Sequence, residues 1–486
     1  MSQHATAPWA GKIYLGEWVP GRGGIAPVVA PASGETLAET GVADERDVGE
    51  AASRARAAQP GWADTPFDAR AAVLRAAAEL LRQRADDFHH WNVRECGSIP
   101  PKSEWELHAS IEQAHMAAAM PMQACGSIFP SSMPGRQNYW RRVPLGTVGV
   151  IAPWNFPILL ALRSVLPALA MGNAVVLKPD LQSAVCGGLL LAEVFERAGL
   201  PSGVLHVLPG GAATGEAVVR HENVDMISFT GSTAVGRLIG EQCGRALKKV
   251  SLELGGNNAL VVLDDAELDS AASCAAWGAF LHQGQICMQA GRHIVQRGIA
   301  EDYTARLVER ARKLVVGDPA SGPVHLGPLI NDKQAARVED IVQRSVAMGA
   351  TVATGGKRDG RYFAPTVLTG VTPEMPAFTE EIFGPVAPVS VFDTDDDAVA
   401  LVNRSAYGLS AAVHGASESR AAAVAKRLHA GMVHINDQTV NNEFQVPFGG
   451  FGASGNGSRF GGPASFEAFT QTQWLSVMHQ GIQYPF

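Results

Sequence analysis

GVIAPW (149–154), NAVVLKP (173–179), GVLHVLPG (203–210), DMISFTGS (225–232) and KKVSLELGG (248–256) are five short β-rich runs at nearly even pitch. Helix-like stretches separate them, around 159–170, 183–198, 213–220 and 234–243. Strand and helix alternating in this way predict a mostly parallel sheet covered on both faces. Such a sheet binds ligands where loops leave the carboxyl ends of its strands.

A second α/β stretch follows. NALVVL (258–263), RHIVQR (292–297), APVSVF (387–392) and GMVHIN (431–436) are strand-like, while 301–317 and 332–350 have helical spacing. The regions 370–386 and 440–462, rich in Gly, Pro, Asn and Phe, read as long loops of the kind that build sites on a stiffer scaffold. Before the first sheet, residues 44–96 and 103–122 read as helices, with Asp44 and Asp47 at a helix start. The prolines and aromatics of IFPSSMPGRQNYWRRVPLG (128–146) predict an arm or hairpin leaving the helical body.

At 486 residues, 46% hydrophobic and 18% charged, the chain has the composition of a globular protein of two or three domains. The net charge of −8, with scattered basic residues, argues against a nucleic-acid partner. Residues 158–177 are the most apolar stretch, but Arg163, Pro167 and Asn173 interrupt it, so a buried helix and strand are expected rather than a membrane span. The opening MSQHATAPWAGK (1–12) lacks a positive start followed by an apolar run, so a cytoplasmic protein is expected. Six dispersed cysteines without a CxxC pair predict reduced thiols and no metal site.

Several residues have chemistry worth following. Gly231 and Ser232 join a strand to a helix, where a small residue and free amides suit a pyrophosphate, although the spacing is GxxxxG rather than GxGxxG. Lys178 ends a strand and puts an ammonium at its carboxyl edge, and Gly210 with Gly215 forms a second permissive loop. Cys287 in GQICMQAGR is a candidate nucleophile, its thiolate favoured by nearby peptide dipoles. Glu253, beside paired glycines and mobile backbone, is a candidate base, and Asn155 in APWNFP a candidate oxyanion donor. Singly, each has an ordinary alternative: an inert buried thiol, a salt-bridge glutamate, a surface lysine.

Together the ordered segments PWNFP, KP, FTGSTxxG, ELGG, GQxC, EIFGPV and PFGG resemble the aldehyde dehydrogenase superfamily over nearly the whole chain. Segments such as WNVRECG, AAWGAFLHQGQICM and GASGNGSRFGGPAS are similar to its aromatic aldehyde branch, the benzaldehyde and vanillin dehydrogenases. The resemblance implies an α/β fold with a Rossmann-like nucleotide-binding domain (1–120 and 146–254), a catalytic α/β domain (255–455) and a small β oligomerisation element (121–145 and 456–486), assembled as a homodimer or homotetramer. It implies Cys287 as nucleophile, Glu253 as base and Asn155 as oxyanion donor. It assigns the cofactor to Ile151, Pro153, Trp154, Lys178, Gly210, Gly215, Phe229, Gly231, Ser232 and Leu254, with Glu381 and Phe383 on the nicotinamide side.

An aromatic aldehyde would then lie among Phe156, Leu160, Ile286, Met288, Phe444 and Phe448, with Asn441 a polar contact. Arg163 is placed beside the substrate entrance, attracting a ring hydroxyl or carboxylate, or else making a structural ion pair. NAD is the expected cofactor because of Asp180. NADP is an open alternative because Leu181 stands where many NAD-preferring relatives have a glutamate that repels a 2′-phosphate. The alternatives are a broad or aliphatic aldehyde dehydrogenase, a CoA-acylating one, and a non-catalytic oligomeric scaffold. Glu253 argues against the second, and the Cys287, Glu253 and Asn155 set against the third.

Overall fold

The computed structural model describes residues 7–486; residues 1–6, the start of the opening stretch, lie outside the described residues. The five β-rich runs form parallel neighbours in the order Lys249–Glu253, Met226–Thr230, Thr147–Ile151, Ala174–Lys178, Leu205–Val207. The hairpin Lys12–Tyr14 and Trp18–Pro20 extends the sheet antiparallel at the Leu205–Val207 side. Strand order reverses on either side of Thr147–Ile151, which creates a crevice beyond its carboxyl end. Register places Ile151 opposite both Lys178 and Phe229, and Thr230 opposite Glu253. Residues far apart in sequence thus share one row across the carboxyl edge.

All fourteen residues of the helix Pro157–Ala170 are buried, Arg163 included. Among the described residues no helix is long and apolar enough to cross a membrane. The expected continuous helix over 183–198 is broken: a 3-10 turn, Leu181–Ser183, and a π turn, Val185–Leu189, precede Leu190–Arg197. Two close contacts explain the irregularity. A Cβ on Gly187 would stand 2.8 Å from Pro157 Cβ and one on Gly188 2.6 Å from Pro179 Cγ, while the Glu95 carboxylate takes the amides of Val185 and Cys186 at 2.9 Å.

The second sheet runs Thr351–Thr354, Thr366–Thr369, Val386–Phe392, Arg292–Gln296, Ala259–Val262, Ser410–His414, Met432–Ile435, parallel except at its first pair. A third, antiparallel sheet joins Gly126–Phe129, Arg136–Pro144 and Thr470–Met478, with Ile128, Phe129 and Trp474 exposed. The C-terminal segment divides near residue 469. Phe460, Phe466 and Phe469 are buried in the core of the first body, and Asn456 donates to the Val250 carbonyl at 2.8 Å, so its strand alone joins the arm.

Candidate active site

Cys287 lies on the loop between the helix Leu268–Phe280 and the strand Arg292–Gln296. Three consecutive residues of this loop are left-handed: His282 (φ 49°), Gln283 (φ 56°) and Gly284 (φ 69°). A non-glycine residue in that region costs on the order of 1–2 kcal/mol, so the surroundings must over-determine the loop. They do so with side-chain amides. Gln283 Nε2 donates to the carbonyls of Gly97 (3.1 Å) and Pro328 (2.9 Å), and Gln285 Oε1 accepts from Ile330 N at 3.0 Å. Asn258 Nδ2 donates to the carbonyls of Cys287 (2.9 Å) and Gln289 (2.7 Å), Gln289 Nε2 to that of Gly384, and Thr439 Oγ1 to that of Met288 (2.7 Å).

Asn155 belongs to this framework, its Nδ2 donating to the Gln285 carbonyl at 2.9 Å. An amide NH₂ has two hydrogens, and this bond uses one. The residue is partly exposed, but burial of its thiol pushes the pKa up to about 12; Arg163 opposes that shift and Glu253 reinforces it. Burial therefore outweighs the peptide dipoles expected to enlarge the thiolate fraction, and Cys287 rests as a thiol at neutral pH.

Glu253 ends the edge strand of the first sheet, 2% exposed, and neither carboxylate oxygen has a hydrogen-bond partner among the described residues. Burial raises its pKa to about 8, against the charges of Arg163 and Arg459. Space around it is made by glycine, since a Cβ on Gly449 would stand 2.6 Å from Glu253 Oε1.

Two expectations need correction here. The paired glycines after Glu253 are buried close contacts rather than mobile backbone: a Cβ on Gly255 would collide with the Glu381 carboxylate, and one on Gly256 with the Cys287 carbonyl oxygen. Arg163 makes no structural ion pair; it lines a cavity together with Leu162, Leu166 and Phe444. It is 7% exposed, no carboxylate lies within ion-pair distance among the described residues, and its guanidinium sits 5.0 Å from the Phe448 ring and 4.6 Å from the Phe460 ring. Nη2 donates to Thr230 Oγ1 at 3.1 Å, and Nε has no partner among the described residues. The fully buried helix turns this side chain inward, towards Glu253 and Cys287, whose anionic forms it would favour.

Phe156, Leu160, Ile286, Met288 and Phe448 form one apolar cluster, against which Cys287 and Phe444 pack. Asn441 is turned to Asp437, donating from Nδ2 to Oδ2 at 3.0 Å. Leu159, Ala109, Leu409 and Val440 also belong to the cluster and escaped sequence reasoning, as did Trp105, 45% exposed and edge-on to Phe156 at 6.1 Å. Their signal was weak because apolar residues on buried helices and loops all look like core. Asn258, Gln289 and Thr439 were missed for a related reason: a polar residue that straps a loop has no motif of its own.

At the edge of the first sheet, Lys178 is 7% exposed, and burial lowers its pKa against the attraction of Asp180. A Cβ on Gly215 would stand 3.9 Å from both Lys178 Cδ and Ile151 Cδ1, so these three residues face one space. Ser232 caps the helix Thr233–Arg245 through a 3.4 Å contact from Val235 N, and Gly231 is required because a Cβ would stand 2.5 Å from the Phe229 ring. Leu254 packs against Gly236 of the same helix. Gly210 lies against Thr214, which donates to the Ala43 carbonyl at 2.7 Å. Beyond Pro153, Trp154 meets left-handed Phe383 edge-on at 5.6 Å. Beside Phe383 in sequence, Glu381 accepts from Gly256 N at 2.9 Å, its pKa raised to about 7 by burial.

A doubly wound sheet whose carboxyl edge faces a strapped cysteine loop on a second α/β body has the architecture of a two-domain dehydrogenase. The sequence profile of the aldehyde dehydrogenase family matches residues 18–475, and the chain belongs to that family. It is 58% identical over 478 residues to the benzaldehyde dehydrogenase (NAD(+)) of Pseudomonas putida, covering 98% of each chain. It is 50% identical over 479 residues to a vanillin dehydrogenase of an Amycolatopsis species, again with 98% of each covered. A solved salicylaldehyde dehydrogenase of Pseudomonas putida G7, complexed with salicylaldehyde, superposes with a TM-score of 0.94 at 33% identity, over 98% of this chain and 99% of that one.

Proposed function

We propose that the chain oxidises an aromatic aldehyde, of the benzaldehyde, vanillin or hydroxybenzaldehyde type, to its carboxylate through a thioester on Cys287 that water hydrolyses. The observation that best supports this reading is the packing of the Cys287 loop into a cluster containing Phe156, Phe444 and Phe448. A planar aryl group is matched by such walls through offset or edge-on contact. Relatives named for benzaldehyde, vanillin and salicylaldehyde point the same way.

The cofactor reading is NAD first, with NADP accepted. The space shared by Gly215, Ile151 and Lys178 suits an adenosine ribose, and Ser232 with the first amides of its helix suits a pyrophosphate. Glu381 and Phe383 would border the nicotinamide. Asp180 accepts from Gln182 N at 2.9 Å, and its charge still acts beside Lys178, which favours NAD; Leu181 adds no second carboxylate, which leaves NADP acceptable. Bound there, the nicotinamide supplies the hydride acceptor.

The thiol loses its proton as sulfur adds to the aldehyde carbon. Glu253 in its ionised form, the minor one at neutral pH and with both oxygens unengaged, receives that proton, and the Arg163 charge favours the anionic form of both groups. The free Nδ2 hydrogen of Asn155 and the Cys287 amide hold the oxyanion. Its collapse expels hydride and leaves the thioester on Sγ. Glu253, having released its proton to solvent, then takes one from water; hydroxide adds to the acyl carbon, the C–S bond breaks, and the leaving sulfur takes the proton back from Glu253 as the acid departs.

The exposed Ile128, Phe129 and Trp474 of the three-stranded sheet are read as the assembly surface of a homodimer or homotetramer. The six free cysteines fit a reducing, cytoplasmic setting. The deciding experiment measures kcat/KM for benzaldehyde, vanillin, hydroxybenzaldehydes, salicylaldehyde and short aliphatic aldehydes with NAD and with NADP. Aromatic substrates should lead. A preference above about tenfold for aliphatic aldehydes would reject the aromatic assignment, and acyl-CoA as the obligatory product would reject hydrolysis.

A further inference from the structure

Behind the pocket, one helical turn apart on Pro100–Ala119, lie Lys102 and Glu106. Their Nζ to Oε2 distance is 2.6 Å, with side chains 1% and 0% exposed. Each oxygen of Glu106 is used twice. Oε2 accepts from Lys102 and from Asn92 Nδ2 (2.7 Å), while Oε1 accepts from Ile158 N (2.8 Å) and Leu159 N (3.1 Å). Lys102 Nζ also reaches Ser98 Oγ at 3.1 Å.

Those two amides open the helix Pro157–Ala170, whose N-cap Phe156 has no side chain able to accept a hydrogen bond and whose next residue is proline. Unsatisfied first-turn amides carry partial positive charge and favour an acceptor, preferably an anion. Glu106 supplies it from a neighbouring helix. Lys102 balances the charge and places its ammonium 4.4 Å from the Phe156 ring centroid. His282 stands 5.4 Å from the same ring, kept neutral first by burial and then by Lys102. Phe156, one residue after Asn155, therefore meets both the charged pair and the left-handed loop.

A buried ion pair is a poor source of stability, since well-packed apolar residues of equal volume often do as well. Geometry is the better account of this one. We propose that Glu106, balanced by Lys102, is a positioning residue that sets the first turn of Pro157–Ala170 and, through it, the aim of the Asn155 amide at the oxyanion. This inference rests on the thioester reading above. Small misplacements of an aligning group lower rates by up to about a hundredfold.

The test is the burst of reduced cofactor per active site, with sites counted by alkylation of Cys287. Glu106→Gln should slow the burst about 10–100-fold while the cofactor KM changes less than about twofold. In an Asn155→Ala background the same substitution should cost under about twofold, because its target is gone. The double variant Lys102→Met/Glu106→Gln, which leaves no buried charge unpaired, should show the same dependence on Asn155 if Glu106→Gln alone folds poorly. Equal losses with and without Asn155, or a normal burst per titrated site accompanied by a lowered Tm, would overturn the proposal. A Cys287→Ser variant that reduces the cofactor at the wild-type rate would instead remove the thioester reading beneath it.

Discussion

The carboxyl edges of the two large sheets are built by opposite means. On the first, register alone aligns Ile151, Lys178 and Phe229, and glycines at 215 and 231 keep room beside them. On the second, the Cys287 loop adopts left-handed conformations that the chain does not favour, and amide side chains from Asn155, Asn258, Gln283 and Gln289 hold it there. An edge that receives a large, extended ligand needs space and backbone donors. A loop that aims one sulfur needs over-determination. The first should tolerate side-chain changes with graded losses in binding, whereas the second should fail abruptly.

The largest expected effect is at the thiol. Cys287→Ser should reduce oxidation by roughly 10⁴-fold or more, read as steady-state cofactor reduction; substantial residual turnover would move the nucleophile elsewhere. Next comes Glu253. Glu253→Gln should leave a burst and slow the following turnover by about 10²–10³-fold, and equal damage to both phases would deny it a main role in hydrolysis.

The same residue makes a pH prediction with a definite sign. A carboxyl raised to about 8 in the fold is protonated at neutral pH, so hydrolysis-limited turnover should rise as pH passes through about 8. Its contribution to stability runs the other way: it is fully present below the ordinary value of 4.5, where both states are neutral, falls as the unfolded chain ionises and the folded one does not, and is gone above about 8. Glu253→Gln should therefore raise Tm relative to wild type increasingly between about pH 4.5 and 8, with the difference constant above that, and flatten the pH–rate profile.

Asn258→Ala tests the strapping directly. It strands the Cys287 and Gln289 carbonyls, at a cost of about 2–4 kcal/mol in stability, and should lower the burst rate about tenfold even where the protein stays folded. A variant that loses stability but keeps its burst rate would show that the loop needs no such strap. The smallest effect is expected on the other edge, where Lys178→Met should raise the cofactor KM about tenfold with little change in kcat. A collapse of kcat there would erase the contrast between the two edges.

Much of this was legible in the chain. Strand–helix alternation over 149–256 specified a parallel sheet because side-chain period and turn chemistry are local properties. The alignment of Lys178 with Ile151 was not legible, since register is settled by pairing between distant segments. The π turn at 185–189 was read as ordinary helix, and its cause lies in Pro157, Pro179 and Glu95. The ion-pair alternative for Arg163 failed because its helix was legible but not its rotation against Phe448 and Phe460.

By itself, then, the sequence determined the fold class and named Cys287, Glu253 and Asn155 as candidates, because motif spacing and periodicity are written along the chain. Only the tertiary structure decided their condition. The thiol is pushed to about 12, the carboxylate raised to about 8, and the Asn155 turn capped by Glu106 from another helix. Desolvation and capping depend on what surrounds a group, and those neighbours come from parts of the chain that no local pattern connects.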